Sequence, residues 1–325
     1  MEKVQLFNAG EKMERLLKKY IELEQDKSEQ AYALSLMGKL YFESIHIRSE
    51  EQGMECCARA IELDPTSRFP YYTRANFLCY DLPLEEKSDD TESDLIRIAR
   101  FETAVRDILI SMELNRGTNQ DNYDEIFLLN NLLEEWEASE VITVFTKLLA
   151  DFPSSAPLYY HLGVAHLLES DFQSQECHTI IALDYLNKSI EYNPNSWAAH
   201  NMKGIVHGKI SNYDDAIQAF TRAIEIEDLE WSVYSNRAYA YLLIGDIKRA
   251  IKDLKKALPL LEDEDSNDDL LELITALKKH KYKVFVRDES GRKFIHLSIP
   301  SPLDLDEEVY KFPVIFATVE GLDYL

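Results

Sequence analysis

Glycine, cysteine and positive charge are all in short supply in this chain of 325 residues. Ten glycines are few for a fold that cradles phosphate on its backbone, and none of G-x-x-x-x-G-K, G-x-G-x-x-G or G-x-S-x-G occurs. The four cysteines, Cys56, Cys57, Cys79 and Cys177, form no C-x-x-C pair, and adjacent Cys56 and Cys57 would face different ways on a helix. Irregular thiols in a long chain fit a reducing compartment better than a disulfide framework. No apolar run reaches the ~18 residues of a membrane-spanning helix. Met1-Glu2-Lys3-Val4-Gln5 lacks the basic-then-apolar pattern of a secretory leader. The expected location is the cytoplasm.

Thirty-five basic residues face fifty-nine acidic ones, for a net charge of −24. Phosphate backbones need a cationic face, so nucleic acid is excluded as a partner, and an anionic bilayer is disfavoured for the same reason. The excess suits a basic protein or peptide drawn in by long-range attraction. It also serves solubility alone. The histidines, His46, His161, His166, His178, His200, His207, His280 and His296, form no H-E-x-x-H, and no pair has a carboxylate at a recurring metal-ligand spacing. The acidic run from Glu262 to Asp269 fails as a calcium loop, since Asp268 and Ile274 stand where Gly and Glu are needed. Neither catalytic residues, a metal nor a cofactor is expected, and the chain does not read as an enzyme.

What is present is a period. Trp197 and Trp231 stand 34 residues apart, and Gly204 answers to Ala238, His207 to Tyr241, Ala216 to Ala250, Phe220 to Leu254 and Ala223 to Ala257. Small residues let two helices approach, and the large ones fill the space between them. Ser211-Asn212 and Gly245-Asp246 fall between the helices, where Gly suits a helix end and Asn or Asp the next N-cap. Each copy reads as helix, turn, helix, with neither helix able to bury its apolar face alone.

On these residues the chain resembles the tetratricopeptide repeat family, whose unit has the same length and small/large alternation. Four weaker copies extend the resemblance upstream. Residues 31–66 carry Gly38, Tyr41, Ala60 and Pro65; residues 68–118 carry Ala75 and Leu78, a long break, then Ala104, Ile108 and Ser111. Residues 122–155 keep Phe145, Leu148 and Pro153 but place Leu129 and Val141 where small residues are expected. Residues 156–196 carry Tyr159, Leu162, Gly163, Ala182, Leu186, Ser189 and Pro194. The resemblance implies an all-α fold, a right-handed superhelix of stacked helix-turn-helix repeats, acting as a scaffold or adaptor that binds protein or peptide.

The expected organisation is a helical solenoid over residues 1–281. A capping helix within 1–26 presents Met13, Leu16, Leu17, Tyr20 and Ile21; about six repeats fill 31–264; a closing helix covers 268–281. Asp81 to Asp94 reads as a solvated acidic loop. Residues 282–325 break the pattern. Alternating apolar and polar residues at 283–287 and 293–299, around a Gly-containing loop, predict a small β-hairpin appendage followed by a tail with the apolar run Val314-Ile315-Phe316-Ala317. The tail gives a second expectation: a self-associating or autoinhibited subunit, in which residues 300–325 fill the groove or mediate a homodimer.

In the family the first helix of each unit lines the concave groove. The matching positions give Tyr32 and Phe42, Phe69, Tyr72 and Asn76, Tyr123 and Asn130, Tyr160 and His161, Asn201, Asn236 and Tyr239. Asparagine amides both donate and accept, and interleaved aromatics offer flat apolar contact, which together suit an extended peptide. The carboxylate clamp of co-chaperone members does not carry over. Asn236 matches its asparagine, but Asn201 and Ile205 stand where Lys and Asn are needed, and Arg237 faces its helix partner.

Overall fold

A computed structural model describes residues 2–44, 47–81, 91–115, 123–134, 136–169, 175–260, 285–287 and 294–296. Among these residues the chain is helical apart from turns and two short strands. Helices α1 (Glu2–Leu23), α2 (Lys27–Glu43), α3 (Glu50–Leu63), α4 (Phe69–Asp81), α5 (Thr91–Leu114), α6 (Tyr123–Glu134) and α7 (Ala138–Leu148) precede Asp151. After it come α8 (Ala156–Glu169), α9 (Gln175–Tyr192), α10 (Trp197–Lys209), α11 (Tyr213–Ile226), α12 (Trp231–Leu243) and α13 (Ile247–Ala257). Packing divides the chain between Asp151 and Phe152 into two compact units.

In the second unit the helices pair as α8 with α9, α10 with α11 and α12 with α13. The eighth residue of each copy sits where the two helices touch. A Cβ on Gly163 would lie 2.7 Å from Leu186 Cγ, and one on Gly204 would lie 2.5 Å from Phe220 Cε1. Ala238, the counterpart of Gly204, is fully buried beside Ala250 and Leu254. The turns repeat as well. Ser211 takes φ 60° and Gly245 takes φ 82°, each just past a helix end. In both, the following amide reaches back to close the turn: Asn212 N to His207 O at 2.9 Å, and Asp246 N to Tyr241 O at 2.8 Å. Glycine enters the left-handed region freely and serine does so at a cost. Side-chain caps start α10 at Ser196 and α13 at Asp246.

In the first unit α2 packs on α3 with Gly38 against Cys57, and α4 packs on α5. Arg74 of α4 makes a bidentate pair with Asp107 of α5, at 2.6 and 2.8 Å. The third copy departs from this scheme. Leu129 and Val141, both buried, occupy the small positions, and α6 and α7 pack chiefly on α5 rather than on each other. Trp136, between them, stacks on Phe101 of α5 at 3.9 Å, with the Arg97 guanidinium 4.3 Å from its ring. Large side chains keep the hairpin from closing, and the long α5 becomes its support.

Two expectations are corrected. Of the five apolar residues expected to cap the stack from α1, only Leu17 and Ile21 join the core of α2 and α3, while Met13, Leu16 and Tyr20 stay exposed. A helix resting on one side of a stack buries only a stripe. The acidic loop does not fill the range 81–94, because Asp81 ends α4 and Thr91–Asp94 form the first turn of α5, while 82–90 lie outside the described residues. Acidic residues favour that turn through the helix dipole. Strands β1 (Phe285–Arg287) and β2 (Phe294–His296) pair antiparallel along the backbone, with Val286 opposite Ile295. The rest of the expected β appendage, the closing helix over 268–281 and the tail 300–325 lie outside the described residues.

The contact at Gly204 gives a paired test. Gly204→Ala drives a methyl into the ring of Phe220, which is 3 % exposed. The overpacking costs about 1–3 kcal/mol and outweighs the helix-propensity gain of about 1 kcal/mol. Gly208→Ala, on the same helix with nothing within 4 Å of its Cβ, gains stability instead. Urea unfolding of the two variants should move in opposite directions.

Candidate partner-binding face

Asparagine is a poor helix former because its amide competes with the backbone, so an asparagine inside a helix needs a compensating partner. Asn201 in α10 and Asn236 in α12 supply each other. Asn236 Nδ2 donates to Asn201 Oδ1 at 3.1 Å, with the two residues 7 % and 4 % exposed. The bond crosses between first helices of neighbouring copies and brings together two residues expected on one face. Tyr239, one turn beyond Asn236, is half-buried.

Tyr160 and His161 of α8 lie deeper than a groove lining requires. Their rings meet edge-on at 4.9 Å. Tyr160 packs, partly buried, on the cluster that includes Val164, Leu186 and Met202, its hydroxyl is buried without a hydrogen-bond partner, and burial pushes its pKa up. Burial pushes the imidazole of His161 down to about 3, so it is neutral at pH 7.

In the first unit Tyr72, Asn76 and Asn130 are half-buried on α4 and α6. Tyr123 begins α6, and its side chain lies outside the described residues. Tyr32 meets Phe69 edge-on at 5.0 Å, both exposed. Phe42, expected on the groove, instead stacks on Phe77 at 3.9 Å inside the unit. Sequence reasoning missed the exposed Leu36, Ile126 and Phe127 on first helices α2 and α6. The signal for the last two was there: Glu125, Leu128 and Leu129 form the buried stripe of α6, which leaves Ile126 and Phe127 on the opposite side.

Arg237 is engaged away from this face. It donates twice to Asp253 of α13, at 2.7 and 2.8 Å, and once to Thr221 of α11 at 3.0 Å. It stands at the same position in its copy as Arg74, and Asp253 at the same position as Asp107. Among the described residues, no group of three or more His, Cys, Asp or Glu side chains gathers to hold a metal, and no helix is long and apolar enough to cross a membrane.

Repeated helix pairs joined through small residues, with a row of first helices, define a helical-repeat protein. Residues 185–218 and 232–260 each match a tetratricopeptide repeat family model, so this stretch of the chain carries tetratricopeptide repeats. The second match is the copy starting at Trp231. The first begins in α9 and ends in α11, a shifted frame of the same alternation. Repeats of this kind typically serve as scaffolds for protein–protein interaction.

Among curated proteins, the chain is 22 % identical over 144 residues to a UDP-N-acetylglucosamine–peptide N-acetylglucosaminyltransferase of Giardia intestinalis, covering 43 % of this chain and 9 % of that enzyme. It is 45 % identical over 49 residues to Tetratricopeptide repeat protein 36 of Caenorhabditis briggsae, covering 15 % of this chain and 27 % of that protein. The chain thus spans about a tenth and about a quarter of the lengths of these relatives. Among solved structures, it resembles YrrB, a TPR protein with an unusual peptide-binding site, at 21 % identity and a TM-score of 0.40, covering 70 % of this chain and all of that one. It also resembles the APC/C hetero-tetramer Cut9–Hcn1, at 16 % identity and a TM-score of 0.46, covering 83 % of this chain and 48 % of that one. At these scores neither likeness bears on what this chain binds.

The buried His161 predicts a pH dependence. Its folded pKa, about 3, lies below the ordinary 6.5, so the unfolded chain binds the extra proton first. Stability from this group is complete above pH 6.5 and falls as pH drops toward 3. Acidification from pH 7 to pH 5 should remove about 2 kcal/mol through this residue. The loss of stability with acid, measured by urea unfolding at each pH, should be shallower by about one proton in His161→Gln.

Proposed function

We propose that the chain is a cytoplasmic adaptor whose stacked pairs form a right-handed superhelix, ending in the C-terminal β appendage. Its first-helix face holds an extended peptide segment of basic character. The observation that carries this reading is the amide pair of Asn236 and Asn201, which links neighbouring first helices and still has hydrogen-bonding capacity beyond the one shared bond. Tyr72, Asn76, Tyr123 and Asn130 stand on first helices of the first unit, and Tyr160, His161 and Tyr239 on first helices of the second. The net charge of −24 favours a basic segment.

A combined Asn201→Ala, Asn236→Ala and Tyr239→Ala variant tests it. Removing both amides leaves neither partner stranded, so the fold should survive. Capture of partner proteins by the full chain should drop about ten-fold or more, and undiminished capture by the folded variant rules the face out.

A second reading rests on the open hollow at the α12–α13 turn, lined by Ile244, Gly245, Asp246, Ile247, Lys248 and Ile251, with Ile244 exposed. In this reading residues 300–325 act as an internal ligand or join two copies. Deleting them should raise partner capture or lower the mass measured in solution. If both stay unchanged, the tail has no such role.

A further inference from the structure

Two histidines on neighbouring helices meet. His166 on α8 and His178 on α9 bring Nδ1 to within 3.1 Å of Nδ1. A single hydrogen serves that contact, one ring donating and the other accepting. The helices around it pack closely. Gly163, one turn before His166, lets α8 press on Leu186 of α9, and Tyr185 stacks on the His166 ring at 5.4 Å. His166 is buried and His178 half-buried, so the pair sits at the edge of the packed layer, within reach of solvent.

We propose that His166 and His178 chelate one transition-metal cation of the zinc or copper(II) type through their Nδ1 atoms, pinning α8 to α9. Two imidazole nitrogens about 2.0–2.1 Å from zinc stand about 3.3 Å apart at a tetrahedral angle and about 2.9 Å apart at a right angle. The observed spacing falls between these edges; once the shared hydrogen leaves, the ion sits to one side of the Nδ1–Nδ1 line and each ring turns to aim its lone pair there. Imidazole selects zinc and copper over calcium and magnesium, which demand oxygen. On binding, the donor ring carries its hydrogen on Nε2, and a neutral pair takes the ion without net proton release. The chain supplies two ligands and water completes the shell. The net charge of −24 concentrates cations around the protein.

The test is calorimetric titration of chelator-stripped full-length protein with zinc chloride, and separately with copper(II) chloride, at neutral pH. His178→Ala and His166→Gln serve as comparisons, and the remaining histidines give the background. The expected result, for at least one of the two ions, is a single saturable site with a dissociation constant on the order of micromolar, weakened about ten-fold or more in either variant. The melting temperature should rise with that ion in the parent chain but not in the variants. If His166→Gln disturbs the fold by circular dichroism, His178→Ala decides, since that ring is only half-buried. Equal titration of parent and variants overturns the proposal, as does the absence of a saturable site below ~1 mM for both ions.

Discussion

The close approach of a first helix to its partner, through one small residue per copy, is the constraint from which the rest of the structure follows. A helix pair that can touch at Gly163 or Gly204 buries Leu186 or Phe220 against bare backbone, and the pair becomes a rigid unit with one apolar side left to cover. Covering that side requires another pair. Cores such as Ala216, Phe220, Ala223, Val233 and Ala240 therefore draw on consecutive copies rather than on one. Where the small residue is lost, at Leu129, the pair does not close, and the long α5 takes over as the support for α6 and α7.

Electrostatics fixes register inside this apolar frame. Arg74 with Asp107, and Arg237 with Asp253, make two bidentate links between the helices of a pair, with both carboxylates nearly sealed from solvent. A planar guanidinium matched to a carboxylate tolerates little sliding. Breaking one partner away would strand a buried charge, so these links specify which faces meet more than they add stability. Lys203 and Ala219 stand at the corresponding positions of the copy between Trp197 and Trp231, and there the Phe220 ring over Gly204 does the locating instead.

Most of the helical layout was legible in the chain. The Trp197–Trp231 period placed α10 to α13 and both turns, because small residues, caps and left-handed positions recur at fixed offsets that are properties of local backbone. The upstream pairs were visible more faintly, through Gly38, Ala75 and Gly163. The candidate face was legible only in part. Asn201 and Asn236 do meet, but Phe42 turns inward to stack on Phe77, and the outward Ile126 and Phe127 were passed over. A rotation of one residue on a helix moves a side chain by about 100°, so an uncertain phase in degenerate copies misplaces faces even where the helices themselves are right. The same limit hid the contact of His166 with His178, twelve residues apart on neighbouring helices.

The sequence by itself determined that this protein is built from repeated helix pairs, where they turn, and that its surface is acidic. These follow from spacing and composition, which act locally. Only the tertiary structure decided which polar side chains found partners: the asparagine pair, the two arginine–aspartate locks, the neutral His161 and the facing imidazoles. The reason is physical. Burial and pairing depend on what a neighbouring helix brings to within 3 Å or so, and the repeat period alone carries no record of that distance.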